Sequence, residues 1–254
     1  MIYCDEFIFG GDTMRVDVLG VGFDSVTLGE AANTAFSAVC GDCCAGYVVT
    51  PNPEIVRICR DDPPFRDILN GAFLVLPDGI GVVYGAKLLG RPVSERVPGI
   101  DFISALFERM AKTQKSVFLF GAKPGVAELA AKNISAKYPG LVIAGTHNGY
   151  FSDDAPIIEE INSASPDLLL VCLGAPKQER WMAENAQRLN VRLMAGLGGS
   201  LDVFAGTVKR APEGWQRLGL EWLYRLLREP RRITRMIKLP LFLVEVIFQR
   251  IRGH

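Results

Sequence analysis

Residues 74–83, LVLPDGIGVV, place one aspartate, Asp78, between an apolar run and a glycine-rich segment. Asp-Gly is a common turn dipeptide and aspartate is a good helix N-cap, so a turn or a cap is one interpretation of Asp78. The other interpretation is chemistry at the carboxyl end of a strand, which is where parallel α/β sheets bind their ligands. The motif alone leaves both open.

Several other apolar runs of the chain also end in polar side chains, and not all of these are simple turn formers. Because the carboxyl ends of parallel strands share one edge of a sheet, we expect these side chains to face the same ligand region. They are Thr50, Asn52, Asp78, Lys123, Tyr150, Gln178 and Asp202. Their grouping favours the chemical interpretation of Asp78 without settling it.

Two prolines frame Thr50 and Asn52 in the segment VVTPNPEIV. Pro51 favours an extended conformation at Thr50, and Pro53 suits the first turn of a helix. Asn52 is therefore a candidate N-cap and, because helix N-termini favour phosphate, also a candidate ligand contact. Arg96, in VSERVPGID, lies in a non-helical connection, where an arginine is usually solvated.

Two glycine-containing turns connect predicted strands to helices. Gly121 and Gly125 in FLFGAKPGVAELAAK resemble a phosphate loop, although the segment is neither G-x-G-x-x-G nor a Walker A motif. Gly174 in LGAPKQERW precedes Gln178, whose amide can both donate and accept. The chain has no D-x-D, and a hard cation needs grouped oxygen ligands, so we expect neither a metal nor a cofactor.

The cysteines give a weaker signal. Cys40, Cys43 and Cys44 hint at a metal knuckle, but the two histidines, His147 and His254, do not supply a second pair at a useful spacing. Reduced thiols in a cytosolic protein are the better interpretation.

Short apolar runs alternate with helix-length segments from Met14 onward. Such alternation indicates a parallel sheet covered by helices on both faces. We expect a doubly wound, mainly parallel, Rossmann-like α/β domain over residues 14–206. Residues 1–13 lack the basic start of a signal peptide and are expected to be an N-terminal extension. The runs are RVDVLGVGFD, GYVVTPN, FLVLPDG, SVFLFGAKPG, LVIAGTHNGYF, DLLLVCLGAPKQ and VRLMAGLGGSLD.

The formal net charge is +0, with 28 basic and 28 acidic residues, so bulk charge indicates no nucleic-acid partner. The distribution is uneven, because eight Lys/Arg stand against two Asp/Glu from Arg225 onward. We expect residues 207–254 to be a helical, basic, membrane-associating appendage.

Apolar residues recur in this appendage at helical spacing. The longest uncharged run, Leu239–Val244, is far too short to span a bilayer. The pattern favours a helix on an anionic membrane surface, and the alternatives are a helix packed on the body or an oligomer contact. The apolar positions are Ile233, Met236, Ile237, Leu241, Val244, Ile247, Phe248 and Ile251.

Taken in order, the motifs resemble one known family. From Met14 to about Arg235 the chain is similar to the WecG/TagA/CpsF bacterial glycosyltransferases, glycosyltransferase family 26. An ordered set of this kind is far more specific than any one motif. The segments that carry the resemblance are TPNPE, DGIGVV, ERVPGID, FLFGAKPGVAELAA, YPGLVIAGTHNGYF, LGAPKQERWM, GLGGSLDVFAG, RAP and GLEWLYRLLREPRR.

The resemblance implies transfer of an N-acetylmannosamine-type sugar from a UDP donor to O4 of GlcNAc on a polyprenyl-diphosphate lipid. The anomeric centre inverts, and the product serves a cell-surface polymer such as wall teichoic acid. By the same resemblance Asp78 is the general base, Thr50 and Asn52 line its pocket, and Arg96 and Gln178 lie beside the donor.

Further positions follow from the resemblance and from the glycine turns. Tyr150 and Asp202 match nucleoside-side positions, and Arg225, Arg232 and Arg235 match arginines that the appendage brings to the site. Gly121 and Gly174 are added as substrate-binding positions. In the absence of a metal motif, arginines and helix N-termini would have to stabilise the leaving diphosphate.

The implied location is the cytoplasm, peripheral on the inner face of the cell membrane, with a homo-oligomer possible. The main competing hypothesis is a Rossmann-type nucleotide-binding protein or dehydrogenase, against which the missing G-x-G-x-x-G argues. The third hypothesis is a non-catalytic scaffold that is recruited to membranes.

Overall fold

A computed structural model describes residues 14–42, 44–228 and 238–252. Its centre is a six-stranded parallel sheet of order β4-β3-β8-β7-β5-β6, with helices on both faces, which confirms the predicted fold class. Six of the seven apolar runs supply these strands. The strands are β3 (Tyr47–Val49), β4 (Leu74–Val75), β5 (Ser116–Gly121), β6 (Val142–His147), β7 (Leu168–Cys172) and β8 (Leu193–Gly196).

The first apolar run, RVDVLGVGFD, does not join the sheet as the alternation predicts. It forms an antiparallel hairpin of β1 (Arg15–Val18) and β2 (Val21–Asp24). The chain reverses at Leu19 and Gly20, which both have positive φ, as a tight two-residue hairpin turn requires.

The hairpin docks on β4, at the edge of the sheet. One Asp24 carboxylate oxygen accepts from the Val75 amide at 2.7 Å, and the other pairs with the Arg15 guanidinium at 3.2 Å. Asp24 thereby satisfies an amide that an edge strand would leave unpaired. Arg15 also donates to the carbonyls of Asn70 and Ala72, so the hairpin is fixed to the strand that leads to Asp78.

The helices begin where the sequence supplies caps or prolines. Thr27 and Glu30 form a capping box, and Asn52 caps a helix that starts at Pro53. The helices of the main body are α1 (Leu28–Cys40), α2 (Pro53–Asp61), α3 (Pro63–Asn70), α4 (Ile80–Leu88), α5 (Gly99–Lys112), α6 (Val126–Lys137), α7 (Ala155–Ala164), α8 (Lys177–Asn185) and α9 (Ser200–Phe204). The described residues after them form α10 (Glu213–Arg217), α11 (Glu221–Arg228) and α12 (Lys238–Ile251).

Two hydrophobic cores lie on the two faces of the sheet. Strand residues alternate between them, so that Val49 and Phe118 enter one core while Val48 and Val117 enter the other. The first core is closed by α2, α3, α4, α7, α8 and α12, and the second by α1, α5, α6 and α9. This arrangement leaves the carboxyl edge of the sheet open between helices that start on opposite faces.

The C-terminal helix α12 lies across α2 and α4. Phe242 and Val246 are fully buried in the first core, and Glu245 pairs with Arg60 at 2.6 Å. The opposite face is exposed and apolar, and its members are Leu241, Leu243, Val244, Ile247, Phe248 and Ile251. One face of α12 therefore packs on the body, which was one interpretation of the sequence. The other face carries the exposed part of the predicted stripe, to which the membrane and oligomer interpretations still apply.

None of the helices within the described ranges is long and apolar enough to cross a membrane. The predicted division at residue 206 stays a prediction, as does the role of residues 1–13, which lie outside the described part of the chain. Ile233, Met236 and Ile237 of the predicted stripe are also outside it.

Candidate active site

Asp78 follows β4 at the carboxyl edge of the sheet. The backbone around it is held on two sides, because the Leu76 amide donates to Val49 O at 2.9 Å and the Val97 amide donates to Pro77 O at 3.0 Å. Helix α4 has Gly79 as its N-cap and no side-chain cap. Asp78 therefore does not cap this helix, and its side chain is 34% exposed.

Thr50 and Asn52 lie beside the Asp78 turn. A Cβ added to Gly79 would sit 3.2 Å from the Asn52 Cβ and 2.6 Å from the Pro53 Cδ, so only glycine allows these two turns to meet. Asn52 Oδ1 caps α2 by accepting from the Glu54 and Ile55 amides at 2.9 and 3.1 Å. Capping thus uses the oxygen, and any ligand contact would come from the side-chain amide nitrogen.

Arg96 is not a solvated loop arginine. Its Nε donates to the backbone carbonyl of Asp78 at 2.6 Å, and its Nη2 lies 3.9 Å from Asp78 Oδ1. The same Nη2 lies 3.1 Å from Glu221 Oε2, at the start of α11. Arg96 therefore joins the base candidate to the C-terminal segment.

Three residues that the sequence did not single out also belong to this charge cluster. Glu221 is buried and also faces Arg210 at 3.5 Å, and Arg210 contacts the two carboxylate oxygens of Asp101 at 2.5 and 2.6 Å. Burial alone would lower the pKa of Arg210, but Asp101 and Glu221 together raise it, so the guanidinium stays charged. These residues sit inside the motifs ERVPGID, RAP and GLEWLYRLL, yet no local spacing links them.

Gln178 is buried between the ends of β7 and β8. Its Oε1 accepts from the Gly174 and Gly198 amides at 3.2 and 3.0 Å, and its Nε2 donates to Glu179 Oε1 at 2.8 Å. Burial raises the pKa of Glu179. In this structure Gln178 fixes two strand-end loops, and its predicted contact with the donor stays a prediction.

The glycine turns leave bare backbone at the same edge. A Cβ at Gly121 would lie 2.3 Å from Cys172 O, so this glycine allows β5 and β7 to end side by side. Nothing lies within 4 Å of the Cβ positions of Gly125 and Gly174, which have φ of +84° and +79°. The helices α4, α5, α6 and α8 all start here without a side-chain cap, so their N-terminal dipoles face this edge.

Tyr150 lies at the far end of the edge, and Asp202 lies near its middle. Tyr150 follows β6, five strand spacings from β4 or roughly 24 Å, and is 67% exposed. Its loop bends back over the neighbouring strands, since the Gly149 amide donates to Ala122 O at 2.9 Å. Asp202 lies in α9, after β8, and its backbone carbonyl accepts from the Thr207 hydroxyl at 3.0 Å.

The predicted appendage arginines are only partly described. Arg225 lies in α11, but its side chain is outside the description, and Arg232 and Arg235 lie outside the described residues. Their place at the site stays a prediction. The structure brings Asp78, Thr50, Asn52 and Arg96 together, and it spreads the remaining candidates along the edge.

Comparisons with known proteins give the family of the chain. The glycosyl transferase WecG/TagA/CpsF family matches residues 16–254. A relative from Bacillus spizizenii is 38% identical over 201 residues, which cover 79% of this chain and 78% of that protein. A relative from Staphylococcus aureus strain MRSA252 is 33% identical over 237 residues, which cover 92% of this chain and 93% of that protein. Both are named N-acetylglucosaminyldiphosphoundecaprenol N-acetyl-beta-D-mannosaminyltransferase. The chain belongs to the WecG/TagA/CpsF family of glycosyl transferases.

Proposed function

We propose that this protein transfers N-acetylmannosamine, or a related sugar, from a UDP donor to O4 of GlcNAc on a polyprenyl-diphosphate lipid. The names of the two relatives support the sugar and the acceptor. The UDP donor, the O4 position and a place in wall teichoic acid synthesis rest on the family resemblance.

One observation carries the chemical part of the proposal. Asp78 stands at a strand end, is not used as a helix cap, and has Arg96 and the Thr50–Asn52 turn around it. In the proposed reaction this carboxylate accepts the proton of the acceptor hydroxyl while UDP leaves from the opposite face of the sugar. One carboxylate is enough for inversion by transfer, unlike the pair used in glycoside hydrolysis.

The leaving diphosphate develops negative charge that the protein has to stabilise. The N-termini of α6 and α8 point their amides at the glycine-lined part of the edge, where the backbone is uncovered. Arginines of the C-terminal segment would supply the remaining positive charge through bidentate contacts. We infer from this division that the reacting sugar binds near β4 and the nucleoside nearer to β6.

The exposed face of α12 supports a peripheral position on the inner membrane surface. Ile247 and Phe248 are 44% and 55% exposed, and Tyr84 of the neighbouring α4 is 55% exposed. Apolar side chains on one helix face, followed by Arg250 and Arg252, are typical of a helix that lies in an anionic lipid interface. A homo-oligomer that covers this face is the alternative.

The test is a donor screen with the full-length protein and a short-chain polyprenyl-diphosphate GlcNAc acceptor. We expect UDP-N-acetylmannosamine, or a close relative of it, to give a lipid product with one added sugar. Saturable NAD binding without transfer from any UDP-sugar would favour the dehydrogenase hypothesis instead. UDP binding without turnover of any donor would favour the scaffold.

A further inference from the structure

A row of alternating charges connects the C-terminal segment to Asp78. Asp101 holds Arg210, Arg210 faces Glu221, Glu221 pairs with Arg96, and Arg96 lies against Asp78. We infer that Glu221 is a positioning residue that controls, through Arg96, how strongly the Asp78 carboxylate holds its proton. The inference deepens the proposed function and rests on it for the role of Asp78.

The geometry of Arg96 is the first argument. Its Nε is committed to the Asp78 carbonyl at 2.6 Å, so the guanidinium cannot leave the turn that carries the base. Its Nη2 is shared unequally, at 3.1 Å from the Glu221 carboxylate and 3.9 Å from that of Asp78. Glu221 therefore takes the larger part of a positive charge that would otherwise act on Asp78.

Burial is the second argument. The side chain of Glu221 is 7% exposed and that of Arg96 is 20% exposed, so water screens their interaction poorly. Arg210 holds the second Glu221 oxygen at 3.5 Å and is itself anchored on Asp101 of α5. The carboxylate of Glu221 is thus fixed from two sides.

The row also crosses the predicted boundary at residue 206. Asp78, Arg96 and Asp101 belong to the main body, whereas Arg210 and Glu221 belong to the predicted appendage. Docking of α11 therefore adds Glu221 to the charges around the proposed base. The proton affinity of Asp78 becomes dependent on whether the C-terminal segment is in place.

The sign of the effect follows from Coulomb's law. Neutralising Glu221 leaves the charge of Arg96 uncompensated beside Asp78, which favours the ionised carboxylate and lowers its pKa. A weaker base gives slower proton transfer, so the plateau of the pH–rate profile should be lower. The acidic limb of the same profile should move to lower pH. Removing Arg96 should move the acidic limb of the profile to higher pH.

The experiment titrates Asp78 in the full chain labelled with ¹³C at the aspartate Cγ, with the resonance assigned by its loss in Asp78→Asn. Glu221→Gln should lower the midpoint by about one pH unit and reduce turnover roughly three- to tenfold. Glu213→Gln is the matched control, because Glu213 belongs to the same segment and lies in an exposed pair with Arg217. It should change neither quantity.

An Arg96→Gln background separates the electrostatic role from a merely structural one. In the Arg96→Gln background, Glu221→Gln should lower the titration midpoint of Asp78 much less, because the charge that transmits the effect is gone. An unchanged or raised midpoint in folded Glu221→Gln, or an equal shift without Arg96, would overturn the inference.

Glu221→Asp decides the matter where Glu221→Gln fails to fold: a smaller downward shift supports the inference, and an unchanged midpoint overturns it. The titration needs no substrate. Failure of the wild-type protein to transfer any sugar would therefore count against the proposed function alone.

Discussion

The two ends of the carboxyl edge are built differently. At the β3–β4 end, Asp78 and its neighbours are tied to the body by backbone hydrogen bonds, a helix cap and the ion pairs of Arg96. At the β5–β6 end, Tyr150 is largely exposed, and nothing lies within 4 Å of the Cβ position of Gly125. One end is held in place before any ligand arrives, while the other presents surface for a ligand to cover.

The difference indicates a division of labour. A group that moves a proton has to be held within hydrogen-bond reach of the substrate, and the contacts of the β3–β4 end provide that. Groups that only hold the nucleoside contribute equally before and during the reaction. Substitutions at the first end should therefore act on kcat, and substitutions at the second on KM.

The largest effect is expected at Asp78. Asp78→Asn keeps the shape of the side chain and removes the proposed base, so kcat should fall roughly 10²- to 10⁴-fold while UDP binding is largely kept. Steady-state kinetics with calorimetric UDP titration measures both. Asp67→Asn serves as a control, since its carboxylate is 76% exposed on α3. Near wild-type turnover in Asp78→Asn would remove Asp78 from the mechanism.

The next effect concerns the support of the β3–β4 end by α12. Phe242 is fully buried against α4, where its ring lies 3.2 Å from the Cβ position of Gly85. Phe242→Ala should lower the free energy of unfolding by roughly 3–5 kcal/mol, as the loss of a buried aromatic ring usually does. Chemical denaturation measures this.

Phe248→Ala is the matched control on the exposed face of the same helix. It should change the stability by less than about 0.5 kcal/mol and weaken binding to anionic vesicles. Equal destabilisation by both substitutions would mean that the exposed face is packed against something in solution, such as a second copy of the chain.

A smaller effect is expected at the β5–β6 end. Tyr150→Ala should raise the KM of the donor roughly tenfold, the size of one lost aromatic stacking contact with a base, and leave kcat within about threefold. Initial rates over a range of donor concentrations separate the two. A large fall in kcat with an unchanged KM would contradict the division between the two ends.

No effect is expected from removal of divalent metal. The sequence has no D-x-D, and helix N-termini and arginines are available for the diphosphate. Activity should therefore survive EDTA. Loss on chelation that Mg²⁺ or Mn²⁺ restores would show that charge stabilisation at the nucleoside end depends on a bound cation.

Local patterns predict most of the fold and the grouping of the strand-end residues. The apolar runs of β3 to β8 each end in turn signals, and parallel topology then brings their ends together. The hairpin escaped prediction because Leu19-Gly20 is a weak turn signal inside a segment that reads as one strand. Its role depends on Asp24, whose partner Val75 lies 51 positions away.

Long-range charge pairs are the part that a single sequence cannot provide. Arg96 and Glu221 are 125 positions apart, and Asp101 and Arg210 are 109 apart, so no periodicity relates them. The helical period of α12 was visible, but which face packs was not. The buried residues Phe242 and Val246 lie outside the stripe that the sequence suggested.

One measurement tests the division between the two ends most directly: single-turnover rates at saturating donor, with UDP affinity, for Asp78→Asn and Tyr150→Ala side by side. The account predicts that Asp78→Asn loses roughly 10²- to 10⁴-fold in rate and keeps its UDP affinity. Tyr150→Ala should lose affinity and keep its rate within about threefold. A fast Asp78→Asn, or the same loss pattern in both variants, would contradict it.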